Sequence, residues 1–133
     1  MTRLVFDLDG PLTHDDASAS YAERAPNAAV VARLREYKAQ GFEIVICSAR
    51  NMRTYAGDIG KINANTLPVI VDWLARHAIP YDEIHVGKPW CGTEGFYVDD
   101  KAIRPSEFWA RSRVFERKSI RPPSSAGITD GRF

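Results

Sequence analysis

Residues 3–10 read Arg3-Leu4-Val5-Phe6-Asp7-Leu8-Asp9-Gly10. A short apolar run, β-branched and aromatic, that passes straight into two carboxylates and a glycine predicts a buried strand ending in a polar turn. Three further runs have the same form. Phe42 to Cys47 ends at Ser48, Ile84 to Val86 is followed by Gly87-Lys88, and Phe96-Tyr97-Val98 ends at Asp99-Asp100. Between the first two runs, Val30, Val31, Leu34 and Tyr37 recur at helical spacing, which predicts a helix over 27–40 with Gly41 as its stop. Between the second and third, Ile70, Trp73, Leu74 and His77 predict a helix over 67–78, with Thr66 as N-cap and Pro68 in the first turn. Strand and helix in alternation predict a doubly wound α/β domain with a mainly parallel sheet.

The rest of the chain sets bounds on that reading. At 133 residues it fits one domain, expected over 1–118, with 119–133 as a flexible C-terminal tail around Arg121-Pro122-Pro123-Ser124-Ser125. The stretch from Ser106 to Phe115 is expected to form one more helix or strand. A net charge of +1 provides no broad field for nucleic acid or a membrane surface. No apolar run approaches the roughly 20 residues of a membrane span, and Met1-Thr2-Arg3 carries no signal-peptide pattern. Two cysteines are too few for a disulfide framework. Cys47 is expected in the core and Cys91 in a loop. A cytoplasmic protein is the expectation.

In an open parallel sheet, ligands bind at the carboxyl ends of the strands. Here those ends carry Asp7 and Asp9, then Ser48, then Lys88, then Asp99 and Asp100. Each alone has an ordinary explanation as turn, cap or surface residue, but together they suit phosphoryl transfer. A phosphate monoester repels a carboxylate nucleophile unless positive charge compensates. A Mg²⁺ ion on Asp7, Asp99 and the backbone carbonyl of Leu8 or Asp9, with Lys88 on the phosphoryl oxygens, would supply that charge. Ser48 and neighbouring backbone N–H groups would orient the phosphoryl group. Asp7 would form an aspartyl-phosphate, and Asp9 would protonate the leaving oxygen and later activate water.

Val5-Phe6-Asp7-Leu8-Asp9-Gly10, Ile46-Cys47-Ser48, Gly87-Lys88-Pro89 and Phe96-Tyr97-Val98-Asp99-Asp100 together resemble the four motifs of the haloacid dehalogenase superfamily. The resemblance spans residues 3 to about 108. It implies a Rossmann-like three-layer fold, a Mg²⁺ cofactor and phosphomonoesterase activity. By resemblance Asp7 is the nucleophile, Asp9 the acid/base, Ser48 and Lys88 phosphate ligands, Asp99 a direct metal ligand, and Asp100 part of the metal shell. Ser48-Ala49-Arg50-Asn51-Met52-Arg53-Thr54-Tyr55 also looks like a signature of small bacterial members linked to capsular polysaccharide synthesis, which implies a phosphorylated sugar or polyol as substrate. The first motif commonly continues Gly-Thr, whereas here Pro11 follows Gly10, and Thr13 is the candidate substitute for the missing hydroxyl.

Relatives often carry a cap domain, but the gaps between these motifs hold only a loop and a helix each, so a capless, open site is expected. Specificity then falls to loops or a neighbouring subunit. Residues 10–25 and 49–65 read as long polar loops, and such segments are usually functional or disordered. Arg50, Arg53 and Lys61, together with Gly10 and Ala49, are the candidate substrate-binding residues, the cations being suited to a second anionic group. The expected partner is a small phosphorylated metabolite rather than nucleic acid or membrane. The open site and Phe108, Trp109 and Phe115 also fit a homo-oligomer. The competing readings are a catalytically silent interaction subunit, a phosphotransferase or phosphomutase variant, and a phospho-receiver domain.

Overall fold

The structure, a computed structural model, describes residues 2–14 and 18–110. Three strands form one parallel sheet: β1 (Arg3–Asp7), β2 (Glu43–Cys47) and β3 (Glu83–His85), in the order β1-β2-β3. The register pairs Val5 with Val45, Asp7 with Cys47, and Cys47 in turn with His85. All three strands therefore end at the same edge. The connections are helices, as parallel neighbours require: α1 (Ala28–Ala39) joins β1 to β2, and α2 (Ile59–Asn65) and α3 (Leu67–Arg76) join β2 to β3. A further helix, α4, spans Pro105–Ala110.

Helix α1 forms where its periodicity places it. The Asn27 side chain accepts a hydrogen bond from Val30 N, Val30, Val31, Leu34 and Tyr37 are buried, and Gly41 at φ +96° turns the chain out of the helix. These side chains meet Phe6, Ile44 and Ile46 of the sheet and Ile70, Trp73 and Leu74 of α3 in one apolar cluster. Helix α4 joins it through Phe108, whose ring packs edge-on against Phe6 at 5.2 Å. Trp73 is fully buried and its indole N–H reaches the Arg24 carbonyl at 2.8 Å, so the helix ties down the loop after β1.

Four expectations change. Phe96-Tyr97-Val98 is not a strand of this sheet: the run is irregular and exposed, at 80%, 48% and 89%. Pattern alone cannot say whether a β-prone run finds an edge within its own chain. Residues 49–65 are not wholly irregular, because Asp58 caps α2 by accepting from Lys61 N. Thr66 does not cap α3; its backbone is helical, and its hydroxyl donates to Asn51 Oδ1 at 2.6 Å. Cys47 is only half-buried. The expected tail at 119–133 and the far half of the 106–115 segment lie outside the described residues.

No helix among the described residues is long and apolar enough to cross a membrane.

Candidate active site at the carboxyl edge of the sheet

The site begins where β1 runs out. Leu8 N still pairs with the Cys47 carbonyl at 2.9 Å, extending the ladder by one residue. The Leu8 carbonyl then accepts from Leu12 N and Thr13 N, at 3.1 and 3.2 Å, and the chain folds back on itself. Gly10 makes the bend possible at φ +98°, a backbone conformation costly for a side chain. The bend buries Thr13, whose hydroxyl accepts from Gly10 N at 3.3 Å and donates to Asp9 Oδ1 at 3.2 Å. Thr13 thus puts beside Asp9 the hydroxyl that Pro11 cannot.

Asp9 is held on several sides. Arg50 forks onto it, Nε to Oδ2 at 2.8 Å and Nη2 to Oδ1 at 2.9 Å, and Arg24 Nη1 adds a third contact at 3.2 Å. This paired geometry is the strong form of a guanidinium–carboxylate contact. The Tyr21 ring lies against both cations, 4.2 Å from Arg50 Cζ and 4.9 Å from Arg24 Cζ. The Arg50 side chain is 1% exposed. It was expected to meet substrate; instead its fork is taken by Asp9.

Asp7 is set differently. Lys88 Nζ lies 3.6 Å from Asp7 Oδ2, an ion pair too long for a strong hydrogen bond, and 4.0 Å from the centre of the Tyr97 ring. Burial pushes the Asp7 carboxyl above its ordinary pKa; the Lys88 charge offsets part of that rise and the Asp9 charge adds to it. Ser48 links the strand ends. Its N–H donates to the His85 carbonyl at 2.9 Å, its carbonyl accepts from Lys88 N at 3.1 Å, and its hydroxyl accepts from Arg50 N at 3.0 Å. Ser48 is buried, and what it does here is hold Arg50 and Lys88 in place.

A cavity of about 280 Å³ opens over these groups, lined by Asp7, Asp9, Tyr21, Arg24, Ala49, Arg50, Trp90, Cys91 and Tyr97. A second, of about 250 Å³, shares Tyr21, Ala49 and Trp90 with it and adds Asn51, Arg53 and Thr54. Arg53 is exposed there, 5.9 Å from the Trp90 ring centre. Lys61, on α2, and Gly10 line neither. Two residues of this wall, Tyr21 and Arg24, escape the sequence reading. Their only signal is a Tyr-x-x-Arg spacing inside the loop after β1, which forms a single 3-10 turn at Tyr21–Glu23.

The proposed metal donors are not gathered. Asp99 and Asp100 are exposed, and Asp99 Oδ1 accepts from Lys101 N at 2.9 Å in a local turn. The Leu8 carbonyl is used by the bend, and both Asp9 oxygens face guanidinium groups. Among the described residues, no group of three or more His, Cys, Asp or Glu could hold a metal ion. As placed within one chain, Asp7, Leu8, Asp9, Asp99 and Asp100 do not fit a magnesium ion.

A protein from Vibrio cholerae with a solved crystal structure is 57% identical to this chain, over 84% of this chain and 90% of its own, with a TM-score of 0.81. The chain belongs to the same family as that protein. A chain of the Pnkp1/Rnl/Hen1 complex is 20% identical over 82% of this chain and 33% of its own; at a TM-score of 0.48 that likeness carries no argument. No family model and no curated protein matches the sequence.

Gly87 fixes where Lys88 sits, and it offers a first prediction. Its φ is +84°, and a Cβ there would press on Ile59 Cδ1. Gly87→Ala should cost about 1–2 kcal/mol from the left-handed backbone alone, read as a lower melting temperature. An unchanged melting temperature would show that the loop relaxes freely around Lys88.

Proposed function

We propose that this chain is a phosphomonoester hydrolase of the haloacid dehalogenase type, with the Rossmann-like fold of that superfamily, working through an aspartyl-phosphate on Asp7. The observation that carries the proposal is the Asp7–Lys88 pair, 3.6 Å apart at the ends of β1 and β3, opening on a cavity with Asp9 on its wall. Lys88 is placed to meet the phosphoryl oxygens and to draw charge away from the attacking carboxylate. An Asp7 oxygen forms the bond to phosphorus as the bond to the leaving oxygen breaks. Asp9, two residues on, delivers a proton to that leaving oxygen. It then takes a proton from the water that cleaves the acyl-phosphate, which frees phosphate and restores Asp7. Among the described residues, Asp9 Oδ1 faces Thr13, Arg24 and Arg50, whereas Oδ2 faces Arg50 alone. Oδ2 is therefore the oxygen with capacity for the proton.

The substrate proposed from the resemblance is a small phosphorylated sugar or polyol used in capsule polysaccharide synthesis in the cytoplasm. The cavity, walled by Trp90, Tyr97 and Tyr21, is of a size to take a small metabolite. Magnesium dependence belongs to the proposal through the resemblance; no step above passes through the ion. The clamped Asp9 and the scattered Asp99 and Asp100 favour a second reading, a silent subunit that keeps the fold. Incubation with an aryl phosphate and Mg²⁺ separates the two: the proposal expects steady release of inorganic phosphate, lost on adding chelator. No turnover of aryl, sugar, polyol or nucleotide phosphates would leave the silent subunit standing.

A further inference from the structure

Three features that look like separate defects have one common remedy. First, β1 is paired only on its β2 side, and among the described residues no strand lies on its other edge. Its midpoint Val5 is 64% exposed although its register partner Val45 is buried, so the sheet is uncovered at that edge as well. An open strand edge of this kind is a template for another strand. Second, the same chain carries a β-prone run, Phe96-Tyr97-Val98, that is in no sheet, with Phe96 and Val98 among its most exposed apolar side chains. Third, the carboxylates at the end of that run, Asp99 and Asp100, are away from Asp7, and the acidic site is incomplete.

We propose that the site is completed between two copies: Phe96-Tyr97-Val98 of one copy adds to the free edge of β1 in the other and brings Asp99 beside that copy's Asp7. The contacts of Tyr97 favour exchange over closure within one chain. Its ring rests on Lys88 at 4.0 Å and its hydroxyl donates to the Pro89 carbonyl at 2.6 Å, which anchors the run to its own cavity through its middle residue. Phe96 and Val98 on either side of it are 80% and 89% exposed, so a second surface is what would cover them. Exchange is reciprocal, so it closes as a two-fold dimer in which each β1 edge is covered. The acidic set that one chain scatters is thereby reunited twice, once at each β1.

The activity test of this inference rests on the hydrolase reading; the assembly test does not. Asp7→Asn and Asp99→Asn variants, each inactive alone, are to be mixed by joint unfolding and refolding. Random pairing leaves half the dimers mixed, each with one intact site of two, so phosphate release should return to about a quarter of wild type. Independently, Leu4→Cys/Phe96→Cys protein in a Cys47→Ser/Cys91→Ser background should cross-link into a two-chain species under oxidation, because Asp99 beside Asp7 sets Phe96 beside Leu4 on one face of a parallel pair. Val98→Pro, which removes a ladder donor, should shift the wild-type dimer to monomer in sedimentation. A wild-type monomer, a cysteine pair that closes within one chain, or a mixture that stays inactive while wild type is active would each overturn the exchange. A cross-linked dimer without phosphatase activity would uphold the assembly and sink only the hydrolase reading.

Discussion

Asp7→Asn should abolish phosphate release, by about a thousandfold or more, while leaving the protein as stable as wild type or slightly more so. The two halves have the same physical origin. Asparagine cannot form the acyl-phosphate, and loss of a covalent nucleophile is among the largest effects a single substitution has on turnover. On the stability side, burial raises the Asp7 pKa and the Lys88 charge only partly offsets it. A carboxyl whose folded pKa lies above its unfolded value makes the folded state bind the proton more tightly. The ionised form therefore destabilises the fold at neutral pH. That penalty is fully present above the raised folded pKa, shrinks as pH falls through it, and is gone below the ordinary carboxylate value. Asp7→Asn removes the penalty, so its melting temperature should exceed that of wild type at pH 7 and lose that advantage in acid. Wild-type turnover should fall in the same acid window, because the protonated carboxyl is not a nucleophile. Melting curves and phosphate release across pH check both. An Asn variant that retains activity would end the covalent mechanism.

The sheet and its two main crossovers were legible because they rest on local patterns. Phe6, Ile44 to Ile46, and the helical stripe Val30, Val31, Leu34 and Tyr37 are buried as their pattern predicts, whereas Val5, expected in a buried strand, is exposed at the open edge. The polar ends of β1, β2 and β3 come together for the same reason: parallel strands joined by helices must all finish at one edge. What was not legible depends on partners distant in sequence. Arg50 read as a free cation beside a phosphate site, but 41 residues away Asp9 offers a carboxylate of matching geometry. Tyr21 and Arg24 lie in a loop whose path is set by the Trp73 indole and by the bend at Gly10, neither of which leaves a periodic mark. Phe96 to Val98 carries a strand pattern that is a statement of propensity, and propensity does not name the neighbour. Thr13 shows the opposite case. The hydroxyl missing at position 11 was recoverable, since a short turn can return a side chain from three residues after Gly10 to the same carboxylate.

Arg50→Ala should be the most damaging change at the site that does not touch the nucleophile. Its guanidinium is almost wholly buried, forks onto Asp9, and lies on the Tyr21 ring, while its backbone N–H is fixed by Ser48 Oγ. Breaking a buried ion pair by removing one partner costs about 3–5 kcal/mol when the remaining charge is stranded. Here Asp9 keeps Arg24 and Thr13, and its side chain is 29% exposed, so the expected loss is smaller, about 2 kcal/mol by the same reasoning. The melting temperature should fall by several degrees. The kinetic signature is more specific. If Arg50 acts by holding Asp9, its loss should lower kcat by about tenfold to a hundredfold with little change in KM, because a displaced acid slows proton transfer without weakening substrate binding. If instead its buried Nη1, which has no hydrogen-bond partner among the described residues, receives a substrate anion, KM should rise and kcat should hold. Arg50→Lys sharpens the comparison. Lysine restores the charge but not the two-pronged contact, so it should recover stability more than kcat. Equal recovery of both would mean that charge alone, and not the fork, is what Asp9 requires.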